Sequence, residues 1–294
     1  MNKVNSMKSN LILPFLWATA FILTAPVTLA AEAKSEFDAL NNIYLPDITE
    51  FDSPKRILFI GNSFSFYNNG IHNHLGSLIR SAGDWQAGKN RLRLSTLSGG
   101  HIYEHLTDLN YYLSKPDEHW EAMVLQGHSN EPIDAKKKVL FEKATDKAIS
   151  MIKEKEIKPI LFMTWGYKGE PDMAEKLANT YIKIANRHDV PVVPVGLAFA
   201  QAEKSLADIE LFVPDVLGVN NLDQQNATLK YRKVWKHPSE AGTYLAACVF
   251  YASLYKQSPE GLIFHGKLSP QVAAQLQAIS WQVTSAFLDI KDKT

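Results

Sequence analysis

Ser63 is the residue of this sequence whose setting best suits a nucleophile. Residues 57–60 are Ile-Leu-Phe-Ile, a continuous apolar run typical of a parallel strand covered on both faces. Gly61 then permits a tight turn, and helical spacing begins at Ile71. A hydroxyl at such a corner lies at the carboxyl end of the sheet, where open α/β folds bind ligands. The simpler interpretation of Ser63 is a helix N-cap, for which Ser is a preferred residue.

A second stretch, far downstream, supplies the base that a nucleophilic serine requires. His237 is followed by Pro238 and Ser239. Proline favours an extended conformation at the residue before it, and the serine is a good cap for a following helix. The sequence has nine histidines, and this context favours His237 over the others. Its ordinary pKa, near neutrality, suits a group that accepts and returns a proton.

Four short motifs occur in order along the chain: Gly-Asn-Ser-Phe-Ser at 61–65, Ser-Gly-Gly at 98–100, Gln-Gly-His-Ser-Asn at 126–130, and His-Pro at 237–238. Together they resemble the SGNH/GDSL hydrolase family, in a subgroup that begins Gly-Asn-Ser-Phe. The resemblance implies an α/β fold of three α/β/α layers. Its five-stranded parallel sheet would have the flavodoxin-like order 2-1-3-4-5. It also implies ester hydrolysis without a cofactor.

The resemblance implies roles for particular residues. Ser63 is the expected nucleophile, preferred over the neighbouring hydroxyl of Ser65, and its own N–H is an expected oxyanion donor. Gly99 is the expected second backbone donor, with Gly100 as the alternative. A plain turn would also explain this glycine pair.

The third motif departs from the family's Gly-x-Asn-Asp block, because Ser129 stands where the oxyanion asparagine is expected. It also resembles the Gln-Gly-Glu-x-Asn block of carbohydrate acetylesterases, with His128 in place of Glu. We therefore expect Asn130 to donate to the oxyanion, with Gln126 as the alternative. His128 is expected to bond locally or face substrate rather than act as base.

The acid of the expected triad is missing from its usual place. The family has Asp three residues before the histidine, and this position is Val234. Three explanations stay open. A main-chain carbonyl could hold the histidine, Asp215 or Asp223 could replace the acid, or the protein could be weakly active or inactive.

Apolar periodicity places the motifs on a regular alternation of strands and helices. Residues 208–236 break this alternation and are expected to be irregular, either as a loop near the site that shapes substrate choice or as a solvated connection. Trp165 and Tyr167 could stack on a sugar ring or belong to the core. The expected strands are 56–61, 91–97, 120–125, 159–165 and 190–195, and the expected helices are 70–82, 101–113, 134–155, 171–188, 198–207, 239–256 and 268–289.

Composition excludes several classes of function. The chain has 294 residues, 46% of them hydrophobic, and its 31 basic residues balance 31 acidic ones. The sequence has no basic stripe of the kind that binds nucleic acid. It also has no cluster with metal-ligand spacing and no Gly-rich phosphate loop, so it gives no sign of a metal or cofactor. The single Cys248 cannot form an internal disulfide and is expected to be buried.

The N-terminus resembles a secretory signal peptide. Lys3 and Lys8 precede an apolar stretch over 11–23, and small residues follow at 28–31. We expect residues 1–30 to be the signal and 31–294 to form one domain. The protein would then be secreted or periplasmic, without stable membrane insertion after signal removal.

These observations predict an exported serine esterase whose substrate is a small-molecule or carbohydrate ester, carrying an acetyl or other small acyl group. The alternatives are an acyltransferase of the same fold and a non-catalytic carbohydrate-binding protein derived from a hydrolase.

Overall fold

The apolar runs of the sequence form one parallel sheet in the computed structural model, which describes residues 42–223 and 225–290. The strand order is β2-β1-β3-β4-β5, which confirms the predicted order. Its strands are β1 (Arg56–Gly61), β2 (Arg91–Thr96), β3 (Ala122–Gln126), β4 (Lys158–Phe162) and β5 (Val192–Val193).

Burial follows the apolar pattern of each strand. β3 is buried along its whole length and β1 from Ile57 onward, whereas the alternating β2 is largely half-buried at the edge of the sheet. The parallel register pairs Gly61 with Thr96, and Ile60 with Leu125. The ends of β1, β2 and β3 therefore meet at one edge, and the first three motifs follow these three strands.

The helices also lie close to the predicted ranges. The helix expected at 101–113 begins only at Leu106, because turns occupy 102–105, and the helix expected at 134–155 begins at Lys138. The helices are α1 (Ser63–Phe66), α2 (Ile71–Ser81), α3 (Leu106–Leu113), α4 (Lys138–Lys153), α5 (Pro171–His188), α6 (Val195–Ser205), α7 (Glu240–Tyr255) and α8 (Pro270–Phe287), with a 3₁₀ turn at Pro116–Glu118.

The helices pack in two groups, around α7 and around α4, and α5 and α6 contact each other where the groups meet. α7 packs against α2, α6 and α8, whereas α4 packs between α3 and α5. α7 is buried from Ala241 to Leu254, as expected for a helix that is apolar on all sides. Cys248 lies within it, and burial raises the pKa of its thiol. This confirms the expectation of a buried cysteine.

The segment 208–236 corrects the prediction of an irregular loop. It contains β6 (Phe212–Val213) and a separate hairpin of β7 (Val216–Asn220) with β8 (Thr228–Tyr231). β6 pairs antiparallel with β9 (His237–Pro238), and among the described strands β7 pairs only with β8. The chain thus leaves the central layers as a hairpin and returns at His237.

The predicted signal peptide at 1–30 lies outside the described residues. Within the part of the chain that the structure describes, no helix combines the length and apolarity needed to cross a membrane.

Close packing at the start of α6 generates a stability prediction. A Cβ at Gly196 would lie 2.2 Å from the carbonyl oxygen of Thr164. Alanine usually favours a helix by about 1 kcal/mol over glycine, but the backbone oxygen cannot move away as a flexible side chain could. We expect Gly196→Ala to destabilise the fold by about 1–3 kcal/mol, as overpacking does.

The free energy of unfolding in urea measures this change. Gly218→Ala is the matched control, since nothing lies within 4 Å of its added Cβ. Equal stability of Gly196→Ala and the unchanged protein would contradict the account.

Candidate active site

Ser63 lies at the carboxyl edge of the sheet, as the first residue of α1. Its Oγ is 2.8 Å from Nε2 of His237, although 174 residues separate the two along the chain. Ser63 is 8% exposed, so the hydroxyl is shielded but reachable. The helix N-cap is Asn62 rather than Ser63, since the Asn62 side chain accepts from the Phe64 N–H. The N-cap interpretation of Ser63 is therefore wrong.

A buried amide pair holds this corner in place. Asn62 Oδ1 accepts from Gln126 Nε2 at 2.8 Å, and the Asn62 N–H donates to Gln126 Oε1 at 3.0 Å. Asn62 Nδ2 also donates to the carbonyls of Gly100 at 2.9 Å and Gly127 at 3.3 Å. One side chain thus joins the ends of β1, β2 and β3.

Two side chains that were alternatives, Ser65 as nucleophile and Gln126 as oxyanion donor, form their hydrogen bonds within this network. Ser65 is buried, and its hydroxyl donates to Gln126 Oε1 at 2.8 Å. The Gln126 amide donates to Asn62 and to the Gly127 carbonyl, which leaves it no proton for an oxyanion. A Cβ at Gly61 would lie 2.4 Å from Gln126 Oε1, so glycine is required for this close approach.

His237 is held by its strand and by ring packing. β9 pairs Val213 with His237 and Phe212 with Pro238. Tyr67 stacks on the imidazole, with centroids 4.5 Å apart and planes 2° from parallel. The Ser239 side chain caps α7, as predicted, by accepting from the Gly242 N–H. The strand pairing and the helix cap hold the backbone on either side of His237, and Tyr67 holds its ring. The sequence signal for Tyr67 was weak: an aromatic residue one turn after Ser63.

Asp215 occupies the position of the acid. Its Oδ1 meets His237 Nδ1 in a short hydrogen bond. Its main-chain carbonyl accepts from the Arg232 N–H at 2.8 Å, and Arg232 Nε lies 3.4 Å from its Oδ2. Of the three explanations for Val234, the structure shows substitution by an acid and not a main-chain carbonyl. The rival acid Asp223 is exposed in the turn between β7 and β8.

The environment of His237 pulls its pKa in two directions. Burial lowers the pKa, the bonded carboxylate of Asp215 raises it, and the nearby cations Lys236 and Arg232 lower it; the net shift is downward from 6.5. The neutral imidazole, which can accept a proton, therefore persists to lower pH than in a free histidine.

Of the predicted oxyanion donors, Gly100 is committed to a hydrogen bond within the protein, whereas Ser63, Gly99 and Asn130 stay candidates. The N–H of Ser63 has no intrahelical acceptor, because it opens a helix. The Gly100 N–H donates to the Leu97 carbonyl at 3.0 Å, which commits this alternative to a turn. Gly99 has a φ of 66° and is exposed, and it stays the predicted second donor. Asn130 is half-buried, and its Oδ1 accepts from Lys137 Nζ at 3.1 Å. Asn130 stays a prediction too.

A second histidine–carboxylate pair joins the residues that directly follow the second and third motifs, His101 and Glu131. Glu131 is buried and bonds His101 Nδ1, and it also accepts from the His128 N–H at 2.7 Å. Burial raises the pKa of Glu131. His101 stacks on His128, with centroids 4.5 Å apart. Burial and nearby cations lower the His128 pKa to about 4, so His128 is neutral at neutral pH.

Of the two aromatic residues expected either in the core or against a sugar, Trp165 belongs to the core. Trp165 is fully buried between Phe64 and Phe199, and its Nε1 donates to the Lys236 carbonyl at 2.9 Å. Tyr167 is half-buried and bonds the Ser129 hydroxyl at 3.0 Å. Trp165 therefore positions the residue before His237 and cannot stack on a sugar.

Within 42–223 and 225–290, no three His, Cys, Asp or Glu side chains gather as a metal site. A cleft of about 880 Å³ lies at the opposite, amino-terminal edge of the sheet, lined by Trp120 and Pro159 among others. Open parallel sheets bind ligands at the other edge, so we place the site at Ser63.

The charges around His237 generate a prediction about its titration. Removing a neighbouring cation stabilises the imidazolium, so Lys236→Gln should raise the His237 pKa. Removing the bonded carboxylate does the opposite, so Asp215→Asn should lower it. Proton NMR titration of the His237 ring checks both shifts. Lys233→Gln is the matched control, because Lys233 is exposed and does not act on this pKa. A lower pKa in Lys236→Gln would contradict the account.

Comparisons with known proteins bear on the fold. Neither a scan of protein-family models nor a search of curated proteins gives a match. A protein from Slackia heliotrinireducens, described as a candidate SGNH hydrolase, is 22% identical with a TM-score of 0.51, covering 68% of this chain and 98% of its own. A DUF4886 family protein from Bacteroides uniformis is 16% identical with a TM-score of 0.55, covering 80% of this chain and 95% of its own. The chain therefore has the three-layer α/β/α fold of SGNH hydrolases.

Proposed function

We propose that this protein is a carboxylic ester hydrolase that works through an acyl-enzyme on Ser63. One observation carries the proposal: a continuous hydrogen-bonded series from the Ser63 hydroxyl through His237 to Asp215 at the ligand-binding edge of the sheet. A nucleophile, a base and a group that orients the base are the three parts that covalent acyl transfer needs.

In the first step, Ser63 Oγ attacks the ester carbonyl and its proton passes to His237 Nε2. Because the two atoms are already 2.8 Å apart, the transfer needs no rearrangement. Asp215 holds Nδ1 protonated, which leaves Nε2 as the acceptor, and it stabilises the imidazolium that forms.

The tetrahedral intermediate then carries its negative charge on the former carbonyl oxygen. We assign the Ser63 N–H, the Gly99 N–H and the Asn130 side chain as its donors. Removing one such donor typically costs about 10²–10³ in kcat. The intermediate expels the alcohol, which takes the proton from His237 Nε2. Water then attacks the acyl-enzyme by the same route and releases the acid.

For the substrate, we propose an ester that carries an acetyl or other small acyl group on a carbohydrate. The support is the resemblance of 126–130 to the third block of carbohydrate acetylesterases, a resemblance that is an analogy and not a contact. We also propose that the protein acts outside the cytoplasm, either secreted or in the periplasm. The support is the signal-like sequence at 1–30.

The two alternative functions differ in their support. The argument for a non-catalytic binding protein was the missing acid, and Asp215 now occupies that place. An acyltransferase of the same fold uses the same triad and differs only in the acceptor that attacks the acyl-enzyme. Transfer of acetyl groups to an added carbohydrate, in preference to water, would favour it.

The proposal predicts labelling of Ser63 by a fluorophosphonate probe, together with turnover of p-nitrophenyl acetate. Both should disappear in Ser63→Ala, and both should fall steeply in His237→Ala because the hydroxyl then has no base. Mass spectrometry of the labelled peptide locates the adduct.

Ser65→Ala is the matched control, since this serine lies two residues away with its hydroxyl committed to Gln126. It should keep the label. Folded protein that takes no label would overturn the hydrolase proposal, and a label on Ser65 would overturn the assignment of the nucleophile.

A further inference from the structure

The hairpin β7–β8 has one apolar face that nothing in the described chain covers. Residues paired across an antiparallel ribbon share a face. The register pairs Val216 with Tyr231 and Val219 with Leu229, and an irregularity lies between 216 and 218. The extra residue of this bulge brings Val216 and Val219 onto the same face. All four side chains therefore form one apolar surface.

This apolar face is exposed to an unusual degree. Its four side chains are between 44% and 56% exposed. Leu217 in the bulge and Leu222 in the turn are exposed as well, at 51% and 72%. The largest contiguous apolar patch on a soluble monomer, typically about 300–600 Å², is often a functional surface. A two-stranded hairpin is also only marginally stable alone in water, so the face gains from being covered.

The charges around the face indicate the chemistry of that partner. Lys230 lies on the opposite face, since it pairs with Gly218. Arg232 and Lys233 follow β8 directly, and Lys236 lies three residues further on. The acids over 215–236 are Asp223 and Asp215, and Asp215 pairs with Arg232. The chain as a whole has a formal net charge of zero, so this segment concentrates positive charge beside an apolar surface. That combination suits a surface that is both apolar and anionic.

A second copy of the chain fits these observations less well. A stable interface needs about 800 Å² from each partner, and four half-exposed side chains offer roughly half of that area. A two-fold interface would also place the same cations of both copies close together. Their repulsion would oppose the pairing.

We infer that the β7–β8 hairpin docks the protein on an anionic lipid surface, with Val216, Val219, Leu229 and Tyr231 in the interfacial region and the cations that follow β8 against the headgroups. This is surface contact without a membrane-spanning segment. It does not depend on the proposed function. The hairpin starts directly after Asp215 and ends at Arg232, so docking would place Ser63 close to the lipid.

Co-sedimentation with phospholipid vesicles tests the inference. The protein should sediment with vesicles of phosphatidylcholine that contain phosphatidylglycerol, and should be released by high salt because screening weakens the attraction. It should stay in the supernatant with phosphatidylcholine alone. Val219→Ser/Leu229→Ser should abolish binding. Lys233→Gln, in the cationic stretch after β8, should weaken binding about fivefold. Lys230→Gln, on the face turned away from the lipid, should weaken it less.

Val139→Ser/Leu140→Ser is the matched control, with the same residue types exposed on α4, and it should bind normally. All variants share one N-terminus, so residues 1–30 cannot account for a difference between them. Thermal unfolding checks that each variant is folded, and Ser63→Ala should bind as the unchanged protein does. The inference would be overturned if the protein did not bind anionic vesicles, or if the hairpin and α4 double variants lost binding equally. It would also be overturned if the protein were a dimer that Val219→Ser/Leu229→Ser dissociates.

Discussion

The buried amide pair of Asn62 and Gln126 is the interaction on which the candidate site depends. Both side chains are essentially inaccessible, and each amide is satisfied on both its oxygen and its nitrogen. Leaving one such group unpaired in the interior costs about 1–3 kcal/mol. Because Asn62 also reaches the carbonyls of Gly100 and Gly127, any shift of one strand end would break bonds to the others. The position of Ser63 therefore depends on the hydrogen bonds that join three strand ends, and not only on the turn that contains it.

The base reaches Ser63 by a different route, through two short strands and a layer of aromatic rings. β6 and β9 are two residues each, too short to hold His237 alone. Stacking on Tyr67 and the bond from Trp165 Nε1 to the Lys236 carbonyl add the missing restraint. Preorganisation of this kind matters for catalysis, because a misplacement of about 1 Å can cost 10²-fold in rate. The same segment carries the acid and the hairpin, so catalytic geometry and the exposed apolar face share one stretch of chain.

The sequence predicted the sheet well and the segment 208–236 poorly, for physical reasons. Buried parallel strands such as β1 are continuous apolar runs that few other structures produce. In β7 the bulge at Leu217 interrupts the two-residue alternation, so no strand pattern is visible. The sequence leaves the partner of His237 open among three explanations, because the contact with Asp215 spans 22 residues. That contact depends on the pairing of β6 with β9, which leaves no periodic signal in the sequence.

Asp215 orients His237 in the proposed mechanism, and the amide variant of Asp215 tests this role directly. Turnover of p-nitrophenyl acetate should be compared in the unchanged protein, in Asp215→Asn and in the exposed control Asp223→Asn. We predict a loss in kcat of about 10⁴ for Asp215→Asn, as in other serine triads, and no change for Asp223→Asn. Full turnover in Asp215→Asn would contradict the account and would show that His237 works without this carboxylate.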